Sequence, residues 1–445
     1  MNLITMNNKL ADFLFLGIVL SLSSTILFSL VWAISPIYSN HDTKIVWTYL
    51  IAFNLIFIFT LLLLQLFFKS KQIRIGFNIT NAIQKVDLGK VLIISTLGII
   101  LHCIAKYELV TNFGLDELGQ LRSHWISGAY RADNFLYKLI SAFGYILSHF
   151  SLFGLFISTF RISKNFLDKI SWGFLLIFLT YVTIFSILIV TRMTFITTIM
   201  VVFSSGLFAV FSSQKRFHTF IKMSLVSFVV VFVSLTFNTY VFSNKIFKSN
   251  TDDLTYTTEN LKGHSSYIKN EVKIEDEVNI EDEEGLVIDQ NFIFSPNSSL
   301  LPTFFYLSHG ILNFNKILVT NQRGKSEWHK VANRYLGLLG IILTNANSLN
   351  ERVYGRGGAT LPGAIYHDFG IIGLVIAPII IAIIFLFSLL IMASKGFIWL
   401  GIAVATASSI IVLMSYLFIA TSTLSFPFTV LPFLFYFIYD LIKKP

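Results

Sequence analysis

Apolar runs of about twenty residues recur along most of this chain, and no other feature limits its fold as strongly. Leu, Ile, Phe and Val dominate them, from "FLFLGIVLSLSSTILFSLVWAIS" near the start to "VLPFLFYFIYDLI" near the end. A helix rises about 1.5 Å per residue, so such a run crosses a hydrocarbon core about 30 Å thick. Charge is correspondingly scarce: 13% of residues are charged and 55% are hydrophobic, against roughly a quarter charged in soluble domains. The 46 phenylalanines suit a lipid-facing surface. The expected fold class is all-α: a polytopic integral membrane helical bundle with about ten transmembrane helices.

The spans fall at about 13–35, 46–68, 89–106, 136–160, 171–190, 193–212, 223–243, 369–394, 397–420 and 425–441. Three short loops between them are densely basic. One carries Lys69, Lys71, Arg74, Lys85 and Lys90; the next Arg161, Lys164 and Lys169; the third Lys215, Arg216 and Lys222. With about ten spans all three share a side with the C-terminal Lys443 and Lys444. Basic loops stay in the cytoplasm, so both termini are expected there. The net charge of +9 then reflects topology rather than nucleic-acid binding. The N-terminus lacks the basic start and cleavage site of a signal peptide, so the first run is expected to be a retained span. The single cysteine, Cys103, permits no intrachain disulfide and no cysteine metal cluster.

This topology divides the chain into spans one to seven (1–243), one large outer loop (244–368) and spans eight to ten (369–445). Residues 250–290 of the loop are polar and acidic, including "KIEDEVNIEDEEGLVID", and read as a solvated excursion. Residues 292–368 mix aromatics, Gly, His and Arg, and are expected to form the site. Within them, "YLGLLGIIL" is too short to span and suits an interfacial or re-entrant segment. No dinucleotide fingerprint, P-loop or zinc-binding spacing occurs.

Several arginines oppose the topological bias. Arg192 lies on the outer turn between spans five and six, in "LIVTRMTF". Arg122 and Arg131 lie in an earlier outer loop, and Arg323, Arg334, Arg352 and Arg356 in the large one. A single arginine at a helix end can snorkel to headgroups or pair with a local carboxylate such as Asp133, Glu327 or Glu351. As a set they suit a ligand with a diphosphate head and an apolar tail, because the planar guanidinium matches phosphate oxygens bidentately and stays charged. Coupled carriers need ionisable groups inside their spans, and here His102 and His149 are the main polar exceptions, read as packing histidines. Beside the arginines, "PTFFYLSHGILNFNKIL" (302–318) reads as an amphipathic helix resting on the membrane, or as the carrier of a general base or sugar ligand in His309. "YGRGGATLPGAIYHDFGIIGLVI" (354–376) leads into span eight, with Asp368 expected as its N-cap and His367 left open as a ligand contact.

Three stretches resemble the bacterial O-antigen and oligosaccharide repeat-unit polymerases of the Wzy type: "TRMTFITTIMVVF", "FFYLSHGILNF" and "GATLPGAIYHDFGIIGLVI". They are similar to that family's outer arginine opening a span, its aromatic-Gly loop segment and its Thr/Gly-rich lead-in to the next span. The resemblance implies an integral-membrane glycosyltransferase that joins repeat units on undecaprenyl diphosphate at the outer face of the bacterial cytoplasmic membrane. It implies no metal and no cofactor. The partners implied are the lipid-linked oligosaccharide, membrane lipids and a chain-length regulator protein. In such a reaction Arg192 meets the diphosphate and His309 is the candidate base. Arg122, Arg131, Arg323, Arg334, Arg352, Arg356 and His367 are the candidates for further diphosphate or sugar contacts. An O-antigen ligase and a lipid-linked oligosaccharide flippase are the competing readings.

Overall fold

The computed structural model describes residues 10–34, 37–39, 43–69, 76–105, 135–189, 193–248, 266–268, 310–315, 317–318 and 360–393, and parts of 404–416. The helices are α1 (Leu10–Ile34), α2 (Lys44–Lys69), α3 (Gly76–Lys85), α4 (Leu88–Ala105), α5 (Phe135–Ser148), α6 (Phe150–Lys164), α7 (Lys169–Ile189), α8 (Met193–Phe211), α9 (Arg216–Lys248) and α10 (Leu361–Ala393). Among the described residues, seven helical spans are long and apolar enough to cross a membrane, or eight if the bent α3–α4 pair counts as one. These overlap the first eight expected spans, the third only as part of the bent pair and the seventh shifted toward the N-terminus. The expected spans at 397–420 and 425–441 fall largely outside the described residues.

The outward surface is that of a membrane protein. On α2, Leu55, Phe59 and Leu66 are exposed, and on α10 Ile372, Ile380 and Phe387. In water, contiguous apolar surface on this scale would drive aggregation. In a bilayer it is the solvated face.

Packing centres on α6, which is buried along all of Phe150–Phe160. Helices α4, α7, α8 and α9 surround it. Its small residues (Ser151, Gly154, Ser158) let neighbours approach, which is how helices associate where lipid removes the hydrophobic drive. Ser205 of α8 donates a hydrogen bond to the Phe156 carbonyl, joining the two helices. The α4–α5 contact is closer still. A Cβ at Gly144 would sit 2.6 Å from the His102 nitrogen, and one at Gly98 would collide with the Ser148 and Leu147 backbone.

The three basic loops gather at one end of the bundle, called here the basic end. Arg161 of α6 donates to the carbonyls of Ile83 (3.0 Å), Gln84 (2.7 Å) and Val86 (2.6 Å) at the α3–α4 elbow. The elbow bends by 62°. Lys164 donates to the Ser212 carbonyl at the end of α8 (2.6 Å). Arg216, at the start of α9, pairs with Asp12 of α1 (3.0 Å). Each cation thus ties one basic loop or helix end to another.

Among the described residues, a departure from all-helical structure occurs at the opposite end. Ile37–Ser39 (β1) pairs antiparallel with Ser266–Ile268 (β2), with Tyr38 opposite Tyr267. The β2 strand lies within the stretch read as a solvated excursion, so part of that stretch is attached to the turn between α1 and α2. Three residues of pairing satisfy backbone groups that neither segment satisfies alone.

Candidate functional site

Far from the basic end, segments distant in sequence converge on the upper halves of α1 and α2. Asp12 marks the basic end of α1, and Trp32 stands twenty residues further along the helix, about 30 Å away at 1.5 Å per residue. The converging segments are the helical turn at 310–315, the start of α10 and the residues up to 416. Two backbone hydrogen bonds join them. Thr360 N–H donates to the Gly310 carbonyl (3.2 Å), and Leu361 N–H donates to the Ser415 carbonyl (3.0 Å).

Thr360 is fully buried and caps α10: its hydroxyl accepts from Gly363 N–H (3.1 Å). Pro362 follows within the first turn, where a missing N–H leaves no gap in the helix ladder. The helix therefore starts well before Asp368, and Thr360 takes the capping role that the sequence reading gives to Asp368. The kink comes instead at Gly370, whose φ of 64° and ψ of −154° define a conformation open essentially to glycine alone. Gly370 separates a short approach helix from the apolar remainder of α10.

Beneath this junction lies a neutral polar network inside the membrane-spanning region. Ser21 Oγ donates to Asn54 Oδ1 (2.7 Å). Asn54 Nδ2 donates to the Tyr416 hydroxyl (3.0 Å) and to the Leu50 carbonyl (3.0 Å). The Tyr416 hydroxyl also shares a hydrogen bond with Thr25 Oγ1 (3.0 Å), and Ser24 Oγ donates to the Leu413 carbonyl (2.9 Å). A buried amide without partners costs roughly 2–7 kcal/mol, depending on the reference state. Asn54 avoids that cost through Leu50 of its own helix together with α1 and the Tyr416 segment.

Aromatic rings wall the network. Tyr416 stacks on Phe28 at 5.6 Å and lies 5.8 Å from Trp47. Trp47 meets Trp32 edge-on at 6.2 Å. Both tryptophans sit near helix ends, where amphipathic rings mark the headgroup level. A second group joins Tyr49, Phe314 and Tyr366, with centroids 5.7–6.2 Å apart. The 310–315 turn is buried on every side, Phe314 and Asn313 completely. The described part of 302–318 is therefore packed inside the protein and does not rest on the membrane surface as an amphipathic helix.

Among the residues singled out from sequence, His367 lies within this junction, only 3% exposed, beside Tyr366 on the approach helix. Arg122, Arg131, Arg192, His309, Arg323, Arg334, Arg352 and Arg356 lie outside the described residues, as does "YLGLLGIIL". His309 adjoins Gly310 in sequence, and Arg192 immediately precedes α8. His102 and His149 sit away from the junction, among Tyr145 and Phe185. His149 Nδ1 lies 2.8 Å from the Tyr145 carbonyl, in keeping with packing histidines. Among the described residues, no group of three or more His, Cys, Asp or Glu comes together.

Sequence reasoning missed Asn54, Tyr416, Thr360 and the Tyr49–Tyr366 pair. Asn54 did carry a signal: it is an amide inside "LIAFNLIFIF", and polar residues at membrane depth mark interhelical contacts. The hydroxyls and the amide of the junction are buried and spend their hydrogen bonds on one another and on backbone groups, so they act as a joint between segments. Compared with family models, curated proteins and solved structures, the chain gives no match.

Proposed function

We propose that this chain is a polysaccharide polymerase, joining oligosaccharide repeat units carried on undecaprenyl diphosphate at the outer face of a bacterial cytoplasmic membrane. The observation that carries the reading is the junction itself. Two of the three stretches resembling repeat-unit polymerases, 304–314 and 358–376, meet through the Thr360–Gly310 hydrogen bond and the Phe314–Tyr366 ring contact. They meet at the end away from the basic loops, and basic loops are retained in the cytoplasm.

In this reading the donor's anomeric C–O bond to diphosphate breaks as a hydroxyl oxygen of the acceptor unit bonds to the same carbon. Negative charge develops on the departing diphosphate, and Arg192 stabilises it, a contribution that grows where water is excluded. Arg122, Arg131, Arg323, Arg334, Arg352 and Arg356 supply further contacts to the diphosphate or the sugars. His309 takes the acceptor's proton, and His367 contacts the sugar. The neutral network around Asn54 and Tyr416 holds the segment whose Ser415 carbonyl accepts from Leu361, at the start of the helix that carries His367, and fixed geometry is what aligns two lipid-linked reactants.

The test is deletion of the gene, followed by examination of surface glycan length. Loss of the ladder with single repeats still attached to their final acceptor is expected. Bare acceptor would assign the chain as a ligase. Repeat units trapped on the inner leaflet would assign it as a flippase. An unchanged ladder would exclude all three.

A further inference from the structure

At the basic end a cleft of about 210 Å³ opens between the α3–α4 elbow and the α6–α7 turn, lined by Gln84, Phe160, Arg161, Lys164, Asn165 and Asp168. It is smaller than the roughly 300–1,000 Å³ of pockets that enclose a drug-sized molecule. Two cations face one carboxylate there, so the lining keeps a net positive charge. Asp168 spends its carboxylate on capping α7: Oδ1 accepts from Ser171 N–H (3.2 Å) and Oδ2 from the Ser171 hydroxyl (2.7 Å). Arg161 uses Nε and Nη2 on the elbow carbonyls. Among the described residues nothing accepts from its Nη1. Lys164 gives one hydrogen bond, to the Ser212 carbonyl, and retains two N–H donors. Lys222 lies close by, its Nζ 3.5 Å from the Lys164 carbonyl.

We propose that this cleft binds a phosphate group, held by Arg161 Nη1 and the remaining Lys164 donors, and presented either by an anionic phospholipid headgroup or as free phosphate. Four features argue for it. The two cations are part of the fold, so they stand ready without ordering mobile side chains. The guanidinium edge and the ammonium offer charge-assisted donors to anionic oxygens. The cleft lies at the end of a membrane span, the level at which basic pockets between helices meet lipid headgroups. The elbow helix α3 buries Ile79, Ile83 and Thr80 on one face, as a helix lying along the bundle end would. The inference is independent of the glycan reaction proposed above.

The test uses the full chain purified in detergent and examined by native mass spectrometry. Phosphatidylglycerol, phosphatidylcholine and inorganic phosphate are added separately, with thermal stabilisation measured in parallel. A lipid site retains phosphatidylglycerol over phosphatidylcholine, with no stabilisation by inorganic phosphate. A free-phosphate site shows saturable stabilisation by inorganic phosphate. In either case Lys164→Gln should weaken the effect about tenfold or more, and Lys164→Arg should largely restore it. Asn165→Asp, which adds a negative charge at the rim without touching a cation, should weaken it several-fold and guards against misfolding of the first variant. Equal binding by wild type, Lys164→Gln and Asn165→Asp overturns the proposal, as does equal retention of the two lipids with no response to phosphate.

Discussion

The two ends of the bundle are held together by different chemistry. At the basic end, Arg161, Lys164 and Arg216 reach across loops to carbonyls and to a carboxylate. At the other end, Ser21, Thr25, Asn54 and Tyr416 do the joining with neutral groups, and rings fill the space between. The difference follows depth. A cation at a span's end can reach toward water and headgroups, and its hydrogen bonds to carbonyls offset what burial costs it. An amide or phenol lies deeper without that cost, provided each polar atom has a partner. The neutral end can therefore sit within the membrane and still hold loop segments in register.

Breaking the comparison at the basic end should have the largest effect. Arg161→Ala removes a charged donor from three elbow carbonyls, and hydrogen bonds to charged groups contribute about 1.5–3 kcal/mol each. A marked fall in thermal stability in detergent is expected, only partly recovered by Arg161→Lys, which lacks the fork. A stability equal to wild type would show that the elbow holds without this cross-link.

Gly370→Ala comes next. Forcing a side chain into that backbone conformation costs on the order of 1–3 kcal/mol, because the approach helix and the span must re-aim relative to each other. The expected outcome is reduced stability and reduced glycan polymerisation at unchanged membrane insertion. Normal values for both would remove the elbow at Gly370 from the account.

Tyr416→Phe sharpens the neutral end. It deletes the hydroxyl between Asn54 and Thr25 while keeping the ring on Phe28. A loss of about 1 kcal/mol is expected. A double-mutant cycle with Asn54→Leu should give a coupling of about 0.6 kcal/mol, the average for hydrogen bonds between membrane helices. Strict additivity would mean that the two residues do not act together.

Smallest of all should be the effect of deleting residues 271–284, which spares the β2 strand and removes a charged stretch with no face to bury. Stability and activity should stay at wild-type values, and loss of activity at normal membrane level would show that the stretch is more than a spacer.

The same contrast governs what could be read from sequence. The first eight spans and the basic loops were legible, because a twenty-residue apolar run has few alternatives and each scarce charge carries topological weight. Arg161 was visible as a charge, but its grip on the α3–α4 elbow was not, since its acceptors are backbone carbonyls that every residue possesses. The neutral end was legible only in pieces. The two loop stretches stood out, yet their floor is built by Asn54 and Tyr416, 362 residues apart in the chain. One amide or one tyrosine in an apolar run is a weak signal until its partner is known. The cap at Thr360 was hidden for a related reason. Asp368 precedes the longest apolar run and so drew the helix start toward itself, whereas the helix begins before that run and bends at Gly370.

The central claim is that the neutral end serves a polymerase whose diphosphate contact is Arg192. Its most direct test is reconstitution of the full chain in liposomes with the lipid-linked repeat unit extracted from cells lacking the gene. Chain lengthening is followed on gels for wild type, Arg192→Lys and Arg192→Ala. The account predicts a ladder from wild type, a weaker one from Arg192→Lys, and a rate from Arg192→Ala lowered by about 10²–10³, as when one donor to developing charge is lost. No ladder from folded wild-type protein would contradict the polymerase reading. A full ladder from Arg192→Ala would leave the polymerase standing and remove Arg192 from its site.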